Sequence, residues 1–314
     1  HTFRIGWIAA AAVALSLQTG FPGDEALANE VLANKALANT DAPRSAKPLQ
    51  STCLATVDNL RDDDIPVRFA SFTKGTGSAT PGPTLASAAA NKWDVRISYQ
   101  GHSTYLIETP GGEKIATDYA GWMTDQVLLT AVTMNRAHSS HYTDNPDPKI
   151  KHIFRGWGDG QTPANYSETV GDTLVRNVTT DILRWGNRQD GNSIFIFEVA
   201  GLCIGHLGHL HHKLTEDHYA KIGRLDVVMI PVDGGLTMSH VSAKNIIQRL
   251  RSSLILPMHV RSFDAMPRFL SYLDNAYPVE RKPTNAMTVS LRSLPSQPTV
   301  VILAGVDTYA GSFD

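Results

Sequence analysis

Only two cysteines, Cys53 and Cys203, occur in 314 residues. That excludes a disulfide-built scaffold and a structural zinc site of four thiolates. Cys203 falls in an apolar, strand-like stretch and is read as an inert buried thiol. Pairing with Cys53 stays open for an exported chain. Charge of one sign is also lacking: 28 Lys and Arg stand against 30 Asp and Glu, a net charge of -2. The basic residues are scattered, so the electrostatic footprint of a nucleic-acid partner is missing. No hydrophobic run reaches the roughly 20 residues of a comfortable membrane span. The N-terminal run, IGWIAAAAVALSL at 5–17, follows Arg4 and suits the apolar core of an export signal. Ala26-Leu27-Ala28 offers a small-residue cleavage site. Residues 1–28 are therefore expected to be a signal peptide. The mature protein is expected to be periplasmic or secreted, with no stable membrane insertion.

The next stretch of chain is low in complexity. ALAN at 26–29, VLAN at 31–34 and ALAN at 36–39 form a five-residue repeat, too short for a solenoid unit. Residues 40–92 are rich in Ala, Ser, Thr, Pro and Gly, with an acidic patch at 62–64. Segment 29–92 reads as an N-terminal extension, open to wrapping the core or to a homo-oligomer contact. The compact domain spans 93–306, with a tail at 307–314. Period-two alternation marks a strand at 95–99. Further strands are expected at 103–108, 114–117, 129–134, 152–154, 173–178, 193–198, 202–205, 226–232, 254–258, 287–292 and 298–303. DVVMIPV at 226–232 reads as a strand buried on both faces. Helical patterns lie at 215–223, 239–252 and 264–276. Strands first and helices later predict an α+β protein, with two packed sheets flanked by helices.

Histidine is abundant, with twelve in the chain. His138 and His141 follow one apolar strand. His206, His209, His211 and His212 follow another, and His259 follows a third. Strand ends are where side chains from several strands converge, and neutral imidazole is the commonest ligand for zinc and related metals. His102 is read as a packing or hydrogen-bonding residue, and His152, His218 and His240 as surface residues. Trp122, Tyr142, Trp157 and Trp185 lie in loops able to build an apolar substrate pocket.

Across roughly 94–306 these segments resemble the metallo-β-lactamase superfamily, in its simpler hydrolase branch related to lactonases and tRNA-processing nucleases. VRISYQGHSTYLIETPGGEKIATDYA (95–120) resembles that branch's first strands, with Asp118 at the aspartate closing the third. RAHSSH (136–141) takes the place of the HxHxDH signature. GLCIGHLGHLHHKLT (201–215) resembles the segment carrying a metal-bridging aspartate after glycine. DVVMIPVDGG (226–235) and LILPMH (254–259) resemble the next strand and the final histidine ligand. The resemblance implies an αββα sandwich of two mixed sheets.

The departures matter as much. Arg136 stands where the family has its first histidine, Ser140 where it has the signature aspartate, and Gly208-His209 where it has Gly-Asp. Asn177, Thr179 and Thr180 stand where another histidine is usual. A neutral imidazole is a poor bridge between cations, and Arg136 adds fixed positive charge. One metal ion is therefore expected, held by His138, His141, His209 and His259. Zinc is the default, with iron and manganese as alternatives. Asp118 is expected to orient a ligand histidine, Arg136 to hold an anionic group or oxyanion, and Ser140 to donate a hydrogen bond. His206, His212 and Asn177 are second-layer candidates. The expected activity is hydrolysis of a small, partly apolar molecule by a metal-activated water. The competing readings are a non-catalytic metal- or ligand-binding protein on a degenerate hydrolase fold, and a nuclease.

Overall fold

A computed structural model describes residues 49–54, 91–159, 161–183 and 188–308. Backbone contacts divide the chain into two units, His1–Lys47 and Pro48–Asp314. The first unit lies outside the described residues, and with it the expected signal peptide and the repeat. The acidic patch, Trp185 and residues 309–314 lie outside them as well.

The second unit holds two mixed sheets. In chain order the first strands are β1 (Val95–Gly101), β2 (Thr104–Glu108), β3 (Lys114–Ala116), β4 (Ala131–Met134) and β5 (His152–Arg155). Next come β6 (Ser167–Val170), β7 (Thr173–Ile182), β8 (Arg188–Val199), β9 (Leu202–His206), β10 (Val227–Pro231) and β11 (Leu254–Met258). The last are β12 (Val279–Arg281), β13 (Ala286–Val289) and β14 (Thr299–Ile302). The helices are α1 (Glu216–Ile222), α2 (His240–Leu250) and α3 (Ala265–Tyr272). One sheet runs β13-β1-β2-β3-β4-β5 and the other β12-β14-β11-β10-β9-β8-β7-β6.

Burial explains the layering. Side chains alternate across a strand. Along β2, Tyr105 and Ile107 join the large core, whereas Leu106 joins a smaller cluster with Tyr119, Met123, Val132 and Ile150. All of β10 is buried, as its apolar run requires, and it pairs in parallel with β9 and β11. Ile222, Ile246, Ile247 and Phe269 carry the buried faces of the three helices into the large core. The two sheets are tied beside the strand ends. Tyr105 Oη donates to the Pro257 carbonyl at 2.7 Å, and His259 N donates to the His102 carbonyl at 2.8 Å.

Two strands escape sequence reading. β6 (SETV) is half exposed, and β12 (VER) is three exposed residues, so neither has an apolar period. His240 is buried rather than on the surface, its Nε2 2.9 Å from the Val232 carbonyl.

The expected inert thiol is also corrected: Cys203 forms a disulfide with Cys53. Residues 49–54, part of the extension, are seated on the domain around Glu198. That carboxylate accepts from Ser51 Oγ at 2.7 Å, Thr52 N at 2.7 Å and Cys53 N at 3.2 Å. Arg176 Nε donates to it at 2.7 Å, and the rest of that guanidinium donates to the Lys221 and Ile222 carbonyls ending α1. Arg224 N donates to the Cys53 carbonyl at 2.9 Å. Burial raises the Glu198 carboxyl, but Arg176, Ser51 and Thr52 outweigh it and hold the group below its ordinary range.

Candidate metal centre

Five histidines converge from both sheets. His102 sits in the turn between β1 and β2. His138 and His141 follow β4 in a tight loop closed by His141 N donating to the His138 carbonyl at 2.9 Å. His209 follows β9, and its backbone N–H donates to Asn192 Oδ1 at 2.7 Å. His259 directly follows β11. One ring nitrogen each from His102, His138, His141 and His259 lies within 4.8 Å of the others. The His209 ring is 5.0, 4.7 and 4.9 Å from those of His138, His141 and His259. The group of four differs from the expected set by one member, with His102 in place of His209. His102, read as a packing residue, lies inside the cluster, with Nε2 3.3 Å from His141 Nε2.

Local backbone geometry is spent on this arrangement. His102, Asp118 and His259 have φ of 50°, 43° and 57°. For residues other than glycine such conformations cost of order 1–3 kcal/mol each and persist where the surroundings enforce them. Gly208 is also left-handed, and a Cβ there would lie 2.4 Å from Asn135 Nδ2 and Asn192 Oδ1. Glycine before His209 is thus a steric requirement.

Carboxylates stand behind the rings. Asp118 Oδ2 is 2.7 Å from His141 Nδ1, while its Oδ1 accepts from Asn135 Nδ2 at 2.8 Å. Asp118 thus lies behind the His141 ring, on its Nδ1 side. Asp233 Oδ2 is 2.9 Å from His259 Nδ1. The same carboxylate accepts from Gly235 N at 2.9 Å and from Thr237 Oγ1 at 2.5 Å. Asp233, Asn135 and Asn192 were not singled out from sequence. Asp233 has the same signal as Asp118, an aspartate just beyond an apolar strand.

The other candidates separate. Ser140 Oγ lies 2.8 Å from His138 Nδ1 and is buried. His206 Nε2 is 2.8 Å from the Ser103 carbonyl, and its Nδ1 accepts from Gly208 N at 3.1 Å. It therefore braces the residues adjoining both His102 and His209. Arg136 is exposed, its guanidinium 5.7 Å from the centre of the Trp157 ring. His212 is not beside the cluster's rings in a supporting role. Its Nδ1 is 2.9 Å from the Lys213 carbonyl and its Nε2 accepts from Asp181 N at 3.1 Å, in the wall of a cleft of about 560 Å³. Asn177 is likewise spent elsewhere: Oδ1 accepts from Tyr166 N, and Nδ2 donates to the Ala164 carbonyl and Ser193 Oγ. Both hydrogen bond on the β7 side of the fold, His212 to Asp181 N and Asn177 to residues 164, 166 and 193. Tyr142 and Trp157 meet edge to face at 5.6 Å, and Trp122 is exposed.

Burial disfavours the charged form of His102, His141, His206 and His209. Burial lowers His102 to about 2, with His259 and His138 adding to the effect. Burial, then the neighbouring histidines, holds His141 and His209 well below the ordinary range. Burial lowers His206 to about 4 against the opposing hydrogen bond to Ser103. Burial pushes the Asp118 carboxyl up to about 8, opposed by Asn135. Asp233 goes the other way: burial raises it, but His259, Thr237 and Gly235 N–H outweigh that and hold it far below the usual range.

These residues fit a metal ion. His209 Nε2 and His259 Nε2 are buried without a hydrogen-bond partner. Each such orphan costs about 1–3 kcal/mol in a closed protein. Two buried ring nitrogens left bare beside one another's rings are better explained by a cation than by packing.

A family model described as a β-lactamase superfamily domain matches residues 96–259, just over half of the chain. The chain belongs to this superfamily. A solved Thermotoga maritima protein, described as a zinc-dependent hydrolase of the metallo-β-lactamase superfamily, is 28% identical with a TM-score of 0.51. The match covers 67% of this chain and 98% of that one. A metal-dependent hydrolase of Thermoplasma volcanium is 21% identical over 195 residues, covering 55% of this chain and 86% of the relative. Another, from Thermococcus kodakarensis, is 24% identical over 197 residues, covering 54% and 86%. The two mixed sheets agree with the metallo-β-lactamase fold, and the protein is an enzyme of that superfamily.

In this member of the superfamily the Asp118–His141 contact is directly testable. Asp118→Asn keeps the shape but swaps an acceptor for an amide, so the His141 ring loses its orienting carboxylate. Metal affinity is expected to fall about 10- to 100-fold. Competition with a chromogenic chelator measures it; wild-type affinity in this variant would show that Asp118 does not hold the ring for the ion.

Proposed function

We propose that this metal-dependent hydrolase acts with one divalent ion, held in the histidine cluster, on a small and partly apolar substrate. The observation that carries the reading is the convergence of ring nitrogens from His102, His138, His141 and His259, with the bare, buried Nε2 atoms of His259 and of the adjacent His209. Zinc is the default ion, with iron and manganese as alternatives. When bound, the ion supplies a Lewis acid and brings the pKa of a water toward about 7.

The chain's own residues do the rest. Asp118 and Asp233 contact the Nδ1 atoms of His141 and His259 from behind, which leaves Nε2 of each ring as the atom that would hold the ion. Ser140 and His211 face the Nδ1 atoms of His138 and His209 at 2.8 and 2.7 Å. The Arg136 guanidinium lies over the Trp157 ring. Arg136 is suited to an anionic part of the substrate, with Trp157, Tyr142 and Trp122 taking the apolar part. Ester, lactone, amide, phosphodiester and aryl-halide hydrolysis all remain within this chemistry. The Cys53–Cys203 disulfide supports an oxidising compartment, hence export to the periplasm or medium. No helix among the described residues is long and apolar enough to cross a membrane.

Chelator-stripped protein, then protein reloaded with zinc, iron(II) or manganese(II), is assayed against that substrate panel. Hydrolysis that disappears on stripping and returns with one equivalent of ion is expected. Hydrolysis that survives complete stripping would refute the reading.

A further inference from the structure

The cleft of about 560 Å³ on the β7 side of the fold is not used by the histidine cluster. We propose that it binds one basic amino-acid residue of a small peptide-like ligand, pairing with its main chain and holding its side-chain cation. The proposal goes beyond hydrolysis and does not depend on the ion.

The cleft exists because β6 pairs with only part of β7. Their register runs from Val170↔Thr173 to Ser167↔Arg176 and stops. Beyond Arg176 the Asn177 side chain stands between the two segments. It accepts from Tyr166 N at 2.7 Å and donates to the Ala164 carbonyl at 2.9 Å. The cleft that follows is lined by residues 162–165, by 177–181 of β7, and by Asp217, His218 and Lys221 of α1, with Asp190 and His212.

The first observation is an open stretch of strand edge. Ser193 is the register partner of Thr179. Asn135 engages both main-chain groups of Ser193, accepting from its N–H at 2.7 Å and donating to its carbonyl at 3.3 Å. Those groups therefore turn away from β7, and in an antiparallel ladder the Thr179 N–H and C=O turn to the opposite edge, toward the cleft. Asp181 N, two residues on, leaves by that edge to reach His212 Nε2 at 3.1 Å. Among the described residues no such partner takes up the main chain of Thr179. One donor and one acceptor on a single strand residue match the C=O and N–H of one residue of an extended ligand.

The second observation is charge. Asp181, Asp190 and Asp217 line the cleft against one cation, Lys221, which is 2.7 Å from Asp217. Asp190 N donates to Asp181 Oδ1 at 2.9 Å, and among the described residues neither of these two carboxylates has a Lys or Arg partner. The histidines do not offset them. His212 accepts at Nε2 and donates from Nδ1 to the Lys213 carbonyl, and His218 Nδ1 accepts from Thr215 N at 3.0 Å. A ring nitrogen that accepts carries no proton, so neither ring adds positive charge in this arrangement. Two carboxylates in a concave wall favour a cationic side chain beside the open edge.

Nα-acetyl-lysine N-methylamide, titrated into ¹⁵N-labelled full-length protein, tests this. The Thr179 and Asp181 amide signals should shift and saturate. The norleucine analogue keeps both amides and loses the ammonium, and should bind at least about threefold more weakly. Asp181→Asn keeps an acceptor for Asp190 N, and Asp190→Asn tolerates the left-handed backbone at φ 51°. Each should weaken the lysine probe by about threefold or more and leave the norleucine analogue unchanged. No shift at Thr179 and Asp181 at any soluble concentration, or shifts confined to other parts of the chain, would overturn the site. Equal affinity for the lysine and norleucine probes would overturn its charge preference, as would folded Asp181→Asn and Asp190→Asn that both bind the lysine probe like wild type. None of these readouts needs the ion or turnover.

Discussion

Breaking the Cys53–Cys203 link, by Cys53→Ala with Cys203→Ala or by reduction, is expected to cost about 3–5 kcal/mol of folding stability. The bridge joins positions 150 residues apart, so it removes much freedom from the unfolded chain. It also fixes residues 49–54 against Glu198, which shares its charge with the buried Arg176. Once that segment is released, Glu198 loses its Ser51, Thr52 and Cys53 donors together, so part of the cost is enthalpic. Alanine rather than serine is the right replacement, because Cys203 is fully buried and a hydroxyl there adds its own penalty. Urea unfolding of oxidised, reduced and doubly substituted protein measures the effect. The last two should agree with each other and fall below the first. Metal content should not change, since His206 and His209 are positioned by Ser103, Gly208 and Asn192 and not by the bridge. Equal stability of oxidised and reduced protein would show that the bridge does not carry the segment.

His141→Ala should have the largest effect on function. The His141 ring is 5.0, 4.5, 4.7 and 5.1 Å from those of His102, His138, His209 and His259, so it touches every other member of the cluster. Its loss removes a donor and leaves Asp118 Oδ2 facing a cavity. Burial already pushes that carboxyl up to about 8, so it takes up a proton in place of its histidine. The variant should retain almost no ion after dialysis, and hydrolysis should fall to background. It should also lose about 2–4 kcal/mol of stability, as for other buried large-to-small changes. Metal analysis and urea unfolding on one preparation separate the two effects. A folded variant with a full complement of ion would mean that the cluster is not the site.

The sequence was readable where one strong period or one apolar run controls the outcome. β10 is the clearest case: an uninterrupted apolar stretch has to be buried on both faces, and it lies between two parallel neighbours. His138, His141 and His259 were found because each follows such a strand. His102 was missed because it sits inside a two-strand turn, where a left-handed residue is ordinarily a matter of chain reversal. Its ring reaches the cluster only because β1 and β2 face β11 across the sandwich. The disulfide had no local signature, since 150 residues separate its ends. Asn177 and His212 were misplaced for the opposite reason. Asn177 was singled out for standing where the resemblance implies a histidine and His212 for lying in a histidine cluster, whereas Asn177 bonds to residues 164, 166 and 193 and His212 to Asp181 and Lys213. Asn135 acts through other side chains and leaves no pattern of its own, whereas Asp233 carries the same strand-end signal as Asp118.

Whether a single ion in the histidine cluster drives the enzyme is decided by metal content per chain, measured by elemental analysis on protein purified without added metal. About one first-row divalent ion per chain is expected, removable by chelator and required for hydrolysis. Folded, active protein with no ion, or with two, would contradict it.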